Sequence, residues 1–153
     1  MKQNEKTNQL FTRAAAYCST AERCRSEVVV KLQQWDKDHE ADADAVLKRL
    51  EQEGFLDEQR YAQAFANDKM RFQGWGRQKI RLQLMQKGIA ESAILAALGQ
   101  LDEDVYHQTL QNLADKKRRE LRREKNPYVL KQKLSRFLAG RGFSMDDIMS
   151  VVR

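Results

Sequence analysis

Two short segments that end predicted helices decide the fold: Leu84-Met85-Gln86-Lys87-Gly88-Ile89 and Leu138-Ala139-Gly140-Arg141-Gly142-Phe143. In each, a glycine suits the left-handed residue that follows a helix, and the next apolar residue can fold back on the leucine that opens the segment. The stretch from Leu50 to Gly54-Phe55 repeats this spacing. A recurrent stop signal indicates a chain of helices built from internal repeats.

A recurrent start signal accompanies these stops, as Leu56-Asp57-Glu58-Gln59-Arg60-Tyr61 and as Leu101-Asp102-Glu103-Asp104-Val105-Tyr106. In both segments the first aspartate can cap the free N–H groups of a helix, while the leucine before it packs on the tyrosine. Three more helix starts are predicted, with caps at Ser26, at Ser144 with Asp147, and at Asn126 before Pro127.

These boundaries and the apolar spacing between them predict an all-α chain. The predicted helices cover 8–19, 27–37, 43–53, 58–72, 77–87, 91–98, 103–124, 127–140 and 145–152. Grouped in threes, they give modules at 8–54, 55–99 and 100–153, the last with a basic insertion at 115–125. Small helical units of this kind stack on their neighbours, so we expect an elongated, curved array of three-helix repeats.

The composition excludes several classes of protein. Of 153 residues, 33% are charged and 41% hydrophobic, which is too apolar for a disordered chain. No stretch approaches the roughly 18–20 apolar residues that span a bilayer, and no apolar segment follows Met1-Lys2, so a soluble cytoplasmic protein is expected. We also expect a monomer. The spacing of Cys18 and Cys24 suits buried thiols better than a disulfide or a metal pair.

The excess of basic over acidic side chains lies entirely in the second half of the chain. Residues 1–75 have 12 basic and 13 acidic side chains, whereas residues 76–153 have 16 and 9. The densest run is Lys116-Lys117-Arg118-Arg119-Glu120-Leu121-Arg122-Arg123-Glu124-Lys125. It fits either the solvated end of a helix, where cations suit the helix dipole, or a surface for a phosphate backbone or an acidic protein groove.

Two further basic rows flank apolar helix faces. The first consists of Arg77, Lys79, Arg81 and Lys87, and the second of Lys131, Lys133, Arg136 and Arg141. Cations on the outer face of a core helix are ordinary, but their repetition in two modules favours a functional basic face.

The aromatic residues near the centre of the chain receive two interpretations. Trp75, between Gly74 and Gly76, fits either an interface anchor or a plug at the joint between modules. Tyr61, Phe65 and Phe72 recur at helical spacing and are predicted to lie in the core.

Motifs that carry chemistry are missing from the sequence. It has no phosphate-binding G-x-x-x-x-G-K-[ST] loop, no G-x-S-x-G and no H-E-x-x-H. The acidic stretch from Asp36 to Asp44 lacks the glycine and terminal glutamate of a calcium loop and is interpreted as a polar turn. We therefore expect a binding protein without catalytic residues, metal, cofactor or small-molecule substrate.

Four elements of the sequence resemble the RecX family of bacterial regulatory proteins. They are Arg25-Ser26-Glu27 before a helix, Gly54-Phe55-Leu56-Asp57-Glu58-Gln59-Arg60-Tyr61-Ala62, the stretch from Gly76 to Ile89 with Ile80 and Leu84, and Phe137-Leu138-Ala139-Gly140-Arg141-Gly142-Phe143. The resemblance covers about residues 10–152. The basic insertion at 115–125 matches no part of the family pattern.

The resemblance implies a tandem array of three-helix repeats that modulates the RecA recombinase in DNA repair, homologous recombination and the SOS response. Members of the family lie in the helical groove of the RecA filament on single-stranded DNA. They suppress strand exchange, ATP hydrolysis and the self-cleavage of repressors that the filament stimulates. Family members also bind DNA.

Two functional hypotheses follow. The first is a regulator that binds the RecA filament in its groove or at its end, and the second is a sequence-independent nucleic-acid-binding protein that acts without RecA and shows a steep salt dependence. Both place their contacts on one set of cations: Arg77, Lys79, Arg81, Lys87, Lys116, Lys117, Arg118, Arg119, Arg122, Arg123, Lys131, Lys133, Arg136 and Arg141, with Trp75 as the candidate interface aromatic.

Overall fold

A computed structural model describes residues 2–152, and within this range the chain forms nine α-helices and no strand. The helices are α1 (Lys2–Thr20), α2 (Arg25–Trp35), α3 (Ala43–Gln52), α4 (Glu58–Gln73), α5 (Arg77–Gln86), α6 (Glu91–Gly99), α7 (Glu103–Glu120), α8 (Pro127–Gly140) and α9 (Met145–Val151). The predicted all-α fold class is confirmed.

The predicted stop signals form the expected turns. Gly54, Gly88 and Gly142 have φ angles of 79°, 79° and 98°, in the left-handed region. At Gly88 the Ile89 N–H donates to the Leu84 carbonyl at 3.1 Å, which is the hydrogen bond of a Schellman motif. The same bond joins Phe143 to Leu138 and Phe55 to Leu50.

Most predicted caps also form. The carboxylates of Asp57 and Asp102 accept from the N–H groups of Arg60 and Val105, and Ser144 and Asn126 cap α9 and α8. The predicted cap at Ser26 is wrong, because α2 begins two residues earlier than predicted, after Cys24. There the Glu27 carboxylate accepts from the Cys24 N–H at 2.9 Å, and the Ser26 hydroxyl is left for another partner.

The helices pack as three sets of three. Within each of α1–α3, α4–α6 and α7–α9 every helix packs on the other two, and α4 packs on α7 between the second and third sets. The buried residues nevertheless form two cores. One belongs to α1–α3, and the other is shared by the second and third sets.

Two residues are buried in the core of a neighbouring set of helices. Cys24 precedes α2 but is buried in the shared core, and Leu56 precedes α4 but is buried in the core of α1–α3. Tyr61 lies in the shared core, so the predicted packing of Leu56 on Tyr61 is wrong.

The second and third sets meet backbone to backbone. The Gly76 N–H donates to the Arg141 carbonyl at 2.8 Å, and the Gln78 N–H donates to the Gly142 carbonyl at 3.0 Å. A Cβ atom on Gly76 would lie 2.4 Å from the Gly142 carbonyl, and one on Gly142 would lie 2.4 Å from the Cβ of Lys79. The contact therefore requires glycine at both positions.

Side chains join the first and second sets. The Ser26 hydroxyl donates to the Lys87 carbonyl at 2.9 Å, and Arg60 pairs with Glu22 at 2.5 Å while donating to the Gly54 carbonyl. The Glu58 carboxylate accepts from the Ala90 N–H within the second set. The contact between the first and second sets, which we call the first joint, is thus more polar and less closely packed than the second joint, which is the contact between the second and third sets.

Three sequence predictions about helix extent and burial are wrong. Helix α1 begins at Lys2 rather than residue 8, because polar residues 2–7 continue the helix and Thr7 accepts from the Asp42 N–H. Helix α7 ends at Glu120 rather than 124, since Leu121–Arg123 form a turn. Phe72 is 79% exposed and does not belong to the core.

Candidate partner-binding surface

Arg77, at the start of α5, is held by the protein itself. Its guanidinium donates to a Glu103 carboxylate oxygen at 2.6 Å and to the Leu98 carbonyl at 3.3 Å. It also lies 4.0 Å from the centre of the Tyr106 ring. These contacts fasten α5 to α6 and α7, which indicates a structural role.

The other cations of the first basic row are also engaged. Lys79 lies 4.6 Å from the Trp75 ring centroid, and Lys87 lies 5.7 Å from that of Phe65. Arg81 pairs with Glu91 at 2.6 Å. Both ion-pair side chains are about half exposed, so a competing anion can replace this weak pair.

In the second basic row, two cations have partners within the chain and two are exposed without an ion pair among residues 2–152. Lys133 pairs with Glu124 at 2.9 Å, and Arg141 donates to the Gln73 carbonyl at 2.8 Å while lying beside the Phe137 ring. Lys131 and Arg136 are exposed on α8 and have no ion-pair partner within residues 2–152. Only the latter two present unpaired charge.

The basic run likewise contains cations with partners and, among the described residues, cations without, and Arg118 and Lys117 have partners. Arg118 donates to Asp115 at 3.1 Å and to the Val151 carbonyl, which fastens α7 to α9. Lys117 lies over the Phe137 ring at 4.8 Å and faces Glu120 at 3.4 Å. These two cations stabilise the third set.

Four of the five remaining cations of the run line a basic concavity of about 690 Å³. It lies at the end of α7 and in the turn after it, and its lining residues are Lys116, Arg119, Glu120, Arg122 and Arg123. All four cations are exposed, and none has an ion-pair partner in the described part of the chain. Because α7 ends at Glu120, Arg122 and Arg123 reach this surface from a turn and not from a continued helix.

A second concavity of about 340 Å³ adjoins the first through the shared residue Lys116. It lies between the end of α4, the middle of α7 and the end of α8. We call it the Phe72 concavity, and its lining includes Arg71, Phe72, Lys116 and Arg141. The helical spacing of Phe72 from Phe65 predicts a buried ring, so the sequence pattern does not reveal Phe72 as a surface residue.

Trp75 is half-buried against the shared core. Its ring makes an edge contact with Phe65 at 6.2 Å between centroids, and the Lys69 ammonium lies 4.9 Å from it. The backbone at Gly76 makes the joint to the third set. This placement favours the plug between modules, and an anchor role for Trp75 stays a prediction.

The two cysteine thiols and the Tyr106 hydroxyl lie in the interior of the protein. Burial raises the pKa of the Cys18 thiol, and both cysteines are free and buried. Burial also raises the pKa of Tyr106, whose hydroxyl accepts from the Arg77 N–H at 3.0 Å. Across residues 2–152, no three His, Cys, Asp or Glu side chains converge as metal ligands would, and no helix is long and apolar enough to cross a membrane.

The acidic stretch after α2 forms the predicted polar turn. The Asp36 carboxylate accepts from the Glu40 and Ala41 N–H groups, and Asp42 caps α3. His39 adopts a left-handed φ of 54° within this turn.

The fold and its surface define a class of protein: a tandem three-helix repeat with a basic face on its third set. Residues 57–98 match the family model for the second three-helix domain of RecX, and residues 104–152 match that for the third. A regulatory protein RecX from Chlorobium phaeobacteroides (strain BS1) is 33% identical over 138 residues, which cover 90% of this chain and 87% of that protein. The chain belongs to the RecX family of regulatory proteins.

Further relatives agree. A regulatory protein RecX from Clostridium botulinum (strain Eklund 17B / Type B) is 37% identical over 116 residues, 73% of this chain and 54% of that protein. The chain spans about half the length of the relatives that it matches in Clostridium botulinum and Clostridium perfringens.

Solved structures show the same fold. A crystal structure of a regulatory protein RecX has a TM-score of 0.85 at 27% identity and covers 97% of this chain and 72% of its own. RecX from Lactobacillus salivarius has a TM-score of 0.83 at 22% identity, with 97% and 96% covered.

Proposed function

We propose that this protein binds the RecA filament on single-stranded DNA, in its groove or at its end, and inhibits the recombinase, ATPase and coprotease activities of the filament. It acts in the cytoplasm by binding, without catalysis. The observation that carries the proposal is the basic concavity of a RecX-family chain, in which four exposed cations lack an ion-pair partner among residues 2–152.

The attraction between this protein and the filament is electrostatic. Residues 76–153 carry seven more basic than acidic side chains, and a nucleoprotein filament is a dense array of negative charge. Cations that already satisfy a carboxylate gain little from a new anion, whereas exposed unpaired cations gain the full interaction. Contacts to the filament therefore concentrate on Lys116, Arg119, Arg122 and Arg123, with Lys131 and Arg136 on the neighbouring helix.

The distinction between paired and unpaired cations divides the predicted contact residues into groups. Arg77, Lys117 and Arg118 stabilise the fold and lie outside the proposed contact set. Lys79, Arg81, Lys87, Lys133 and Arg141 already have partners within the chain and contribute less.

The test is the single-stranded-DNA-dependent ATPase rate of a RecA recombinase, titrated with this protein from well below one molecule per protomer. The wild-type protein should lower the rate. The variant Arg122→Glu/Arg123→Glu should need about tenfold more protein for the same inhibition, because it reverses two phosphate-facing charges. Lys37→Glu/Lys48→Glu is the matched control, since it changes the net charge equally at exposed positions of the first set.

The shape of the titration separates the mechanisms. Inhibition at substoichiometric protein supports filament capping or propagated disassembly. Inhibition only near saturation of the DNA supports the second hypothesis, in which the protein competes for the strand without contacting RecA. A rate that never changes would overturn the proposal, as would equal loss of inhibition in the two variants.

A further inference from the structure

Phe72 is the most exposed large hydrophobic side chain within residues 2–152, with 79% of its surface accessible. It occupies the last turn of α4, two residues beyond the fully buried Met70. Gly74 ends the helix in a left-handed conformation with Leu113 packed against it, so the backbone that presents Phe72 is fixed. A rigidly presented aromatic ring is suited to contact a flat partner.

The surroundings of Phe72 are cationic. Arg71, Lys116 and Arg141 line the same concavity as the ring, and Lys116 continues into the basic concavity with Arg119, Arg122 and Arg123. Glu120 is the one carboxylate that lines either concavity, and it already faces Lys117 at 3.4 Å. One aromatic ring therefore lies at the end of a continuous positive surface.

The joint between the second and third sets holds this surface together. Arg141 donates to the Gln73 carbonyl at 2.8 Å, next to Phe72 in the chain, and its own carbonyl accepts from the Gly76 N–H. The end of α4 and the end of α8 are thereby fixed to each other. Such preorganisation lowers the cost of binding.

The family resemblance already implies contact with a strand on these cations; beyond it, we propose that Phe72 is a base-stacking platform, on which one unpaired base of a single strand stacks while the following phosphates lie on Lys116, Arg119, Arg122 and Arg123. An aromatic platform beside a cationic track is the arrangement with which single strands are bound without sequence preference. A duplex keeps its bases stacked inside, and an acidic peptide has no flat face for the ring. The inference deepens the proposed function, because it identifies the part of a nucleoprotein filament that this surface contacts.

The length of the track agrees with a short strand. From Thr109 to Glu120, α7 rises about 16 Å at ~1.5 Å per residue, and the turn with Arg122 and Arg123 extends it. An oligothymidylate of about 12 nucleotides lies within the ~4–16 nucleotides that comparable sites occupy.

The experiment measures fluorescence anisotropy of this labelled oligothymidylate with the full chain and without recombinase, so its result is independent of any effect on RecA. Phe72→Ala should weaken binding about tenfold, the loss expected for one stacked base. Because no charge is removed, the slope of log affinity against log salt should not change. Tyr128→Ala is the matched control, since this ring is 68% exposed on α8 and lines neither concavity.

The cation variants should behave in the opposite manner. Arg122→Gln/Arg123→Gln should reduce the salt slope by about 0.7 for each lost phosphate contact. The decisive probe is an abasic strand with the same number of phosphates. Wild-type protein and Phe72→Ala should bind it equally, because it has no base to stack.

Three results would overturn the inference: Phe72→Ala binding oligothymidylate as tightly as the wild type, the same loss for the abasic strand or for duplex, and polyglutamate competing as well as the oligonucleotide at equal charge. Unchanged circular dichroism and melting would show that Phe72→Ala is folded. If the base-dependent loss occurs and the RecA ATPase is unaffected, the nucleic-acid site stands and the proposed filament function fails.

Discussion

The first joint connects the first and second sets of helices, and the second joint connects the second and third sets. Both are formed by the residues at the start of the second helix of a set, and they differ most at the residue that precedes this helix. Cys24 precedes α2 and Gly76 precedes α5, and each of these helices is the second in its set. Gly76 has no side chain, so its backbone bonds directly to the turn at Gly142. Cys24 inserts its side chain into the neighbouring core instead, and the Ser26 hydroxyl makes the bond to the turn at Gly88.

The comparison shows how one repeat unit gives two kinds of contact. The turns at Gly88 and Gly142 have the same hydrogen bonds and left-handed φ angles. A Cβ atom on Gly88 would meet nothing within 4 Å, whereas one on Gly142 would overlap Lys79. The turn is therefore a property of the repeat, and the closeness of the joint depends on the glycine opposite it.

The largest expected effect separates these two turns. Gly142→Ala should lower the free energy of unfolding by about 3–5 kcal/mol, since strain at positive φ adds to the overlap with Lys79. Gly88→Ala should cost only about 1–2 kcal/mol, the strain alone. Urea denaturation of both variants measures the difference, and equal losses would show that the joint is not close-packed.

The next largest effect is expected at Gly76, which occupies the position of Cys24 in the other joint. Gly76→Ala should cost about 2–4 kcal/mol, because the new methyl group would overlap the Gly142 carbonyl. Gly140→Ala is the control. Gly140 lies at the end of α8 with open space around it, so that variant should lose no stability and gain up to about 1 kcal/mol.

Cys24→Ala tests the packing at the first joint. Cys24 is 2% exposed but contributes only one sulfur atom to the shared core, so its loss should cost about 1 kcal/mol. Hydrogen exchange should show the increased opening in α2 and the start of α4. An effect as large as that of Gly76→Ala would mean that the joints are equally tight.

The smallest expected effect is a pH dependence of the first joint. Burial raises the pKa of Glu27, but the Cys24 N–H bond, the Cys24 side chain, the Lys87 charge and Tyr61 together outweigh it, so the pKa lies below its ordinary 4.5. A lowered folded-state pKa gives stability that is present above that ordinary value and is lost as the pH falls through the folded-state value.

Glu27→Gln should remove this part of the acid sensitivity. Urea denaturation of wild type and variant between about pH 3 and about pH 7 measures the difference between their pH profiles. Parallel profiles would contradict the role of Glu27.

The turns and most caps could be predicted from the sequence because their hydrogen bonds join residues within about five positions of each other. The bond from Ser26 to Lys87 spans two sets of helices, and no local pattern predicts it. The local pattern accordingly predicts a helix cap at Ser26, whereas its hydroxyl donates to the Lys87 carbonyl in the neighbouring set.

The candidate surface was less predictable, because charge counts do not tell paired from unpaired cations. Arg77 and Arg118 have the sequence setting of contact residues, but Glu103 and the Val151 carbonyl are their partners in the fold. Phe72 continues the helical face of Tyr61 and Phe65 beyond the point where neighbouring helices cover it. Apolar periodicity in the sequence identifies which face of a helix is buried, but it does not show where along the helix the neighbouring helices stop covering that face.

The exchange of Leu56 and Cys24 between the cores has a practical consequence for fragments of this protein. A cut at the turn after Gly54 would leave the first set without Leu56 and the remaining helices without Cys24. Each fragment would expose apolar surface where a neighbour's residue had been, and exposed patches of this kind favour self-association. Fragments intended to stay monomeric in solution should therefore overlap across residues 24–56 instead of meeting at one boundary.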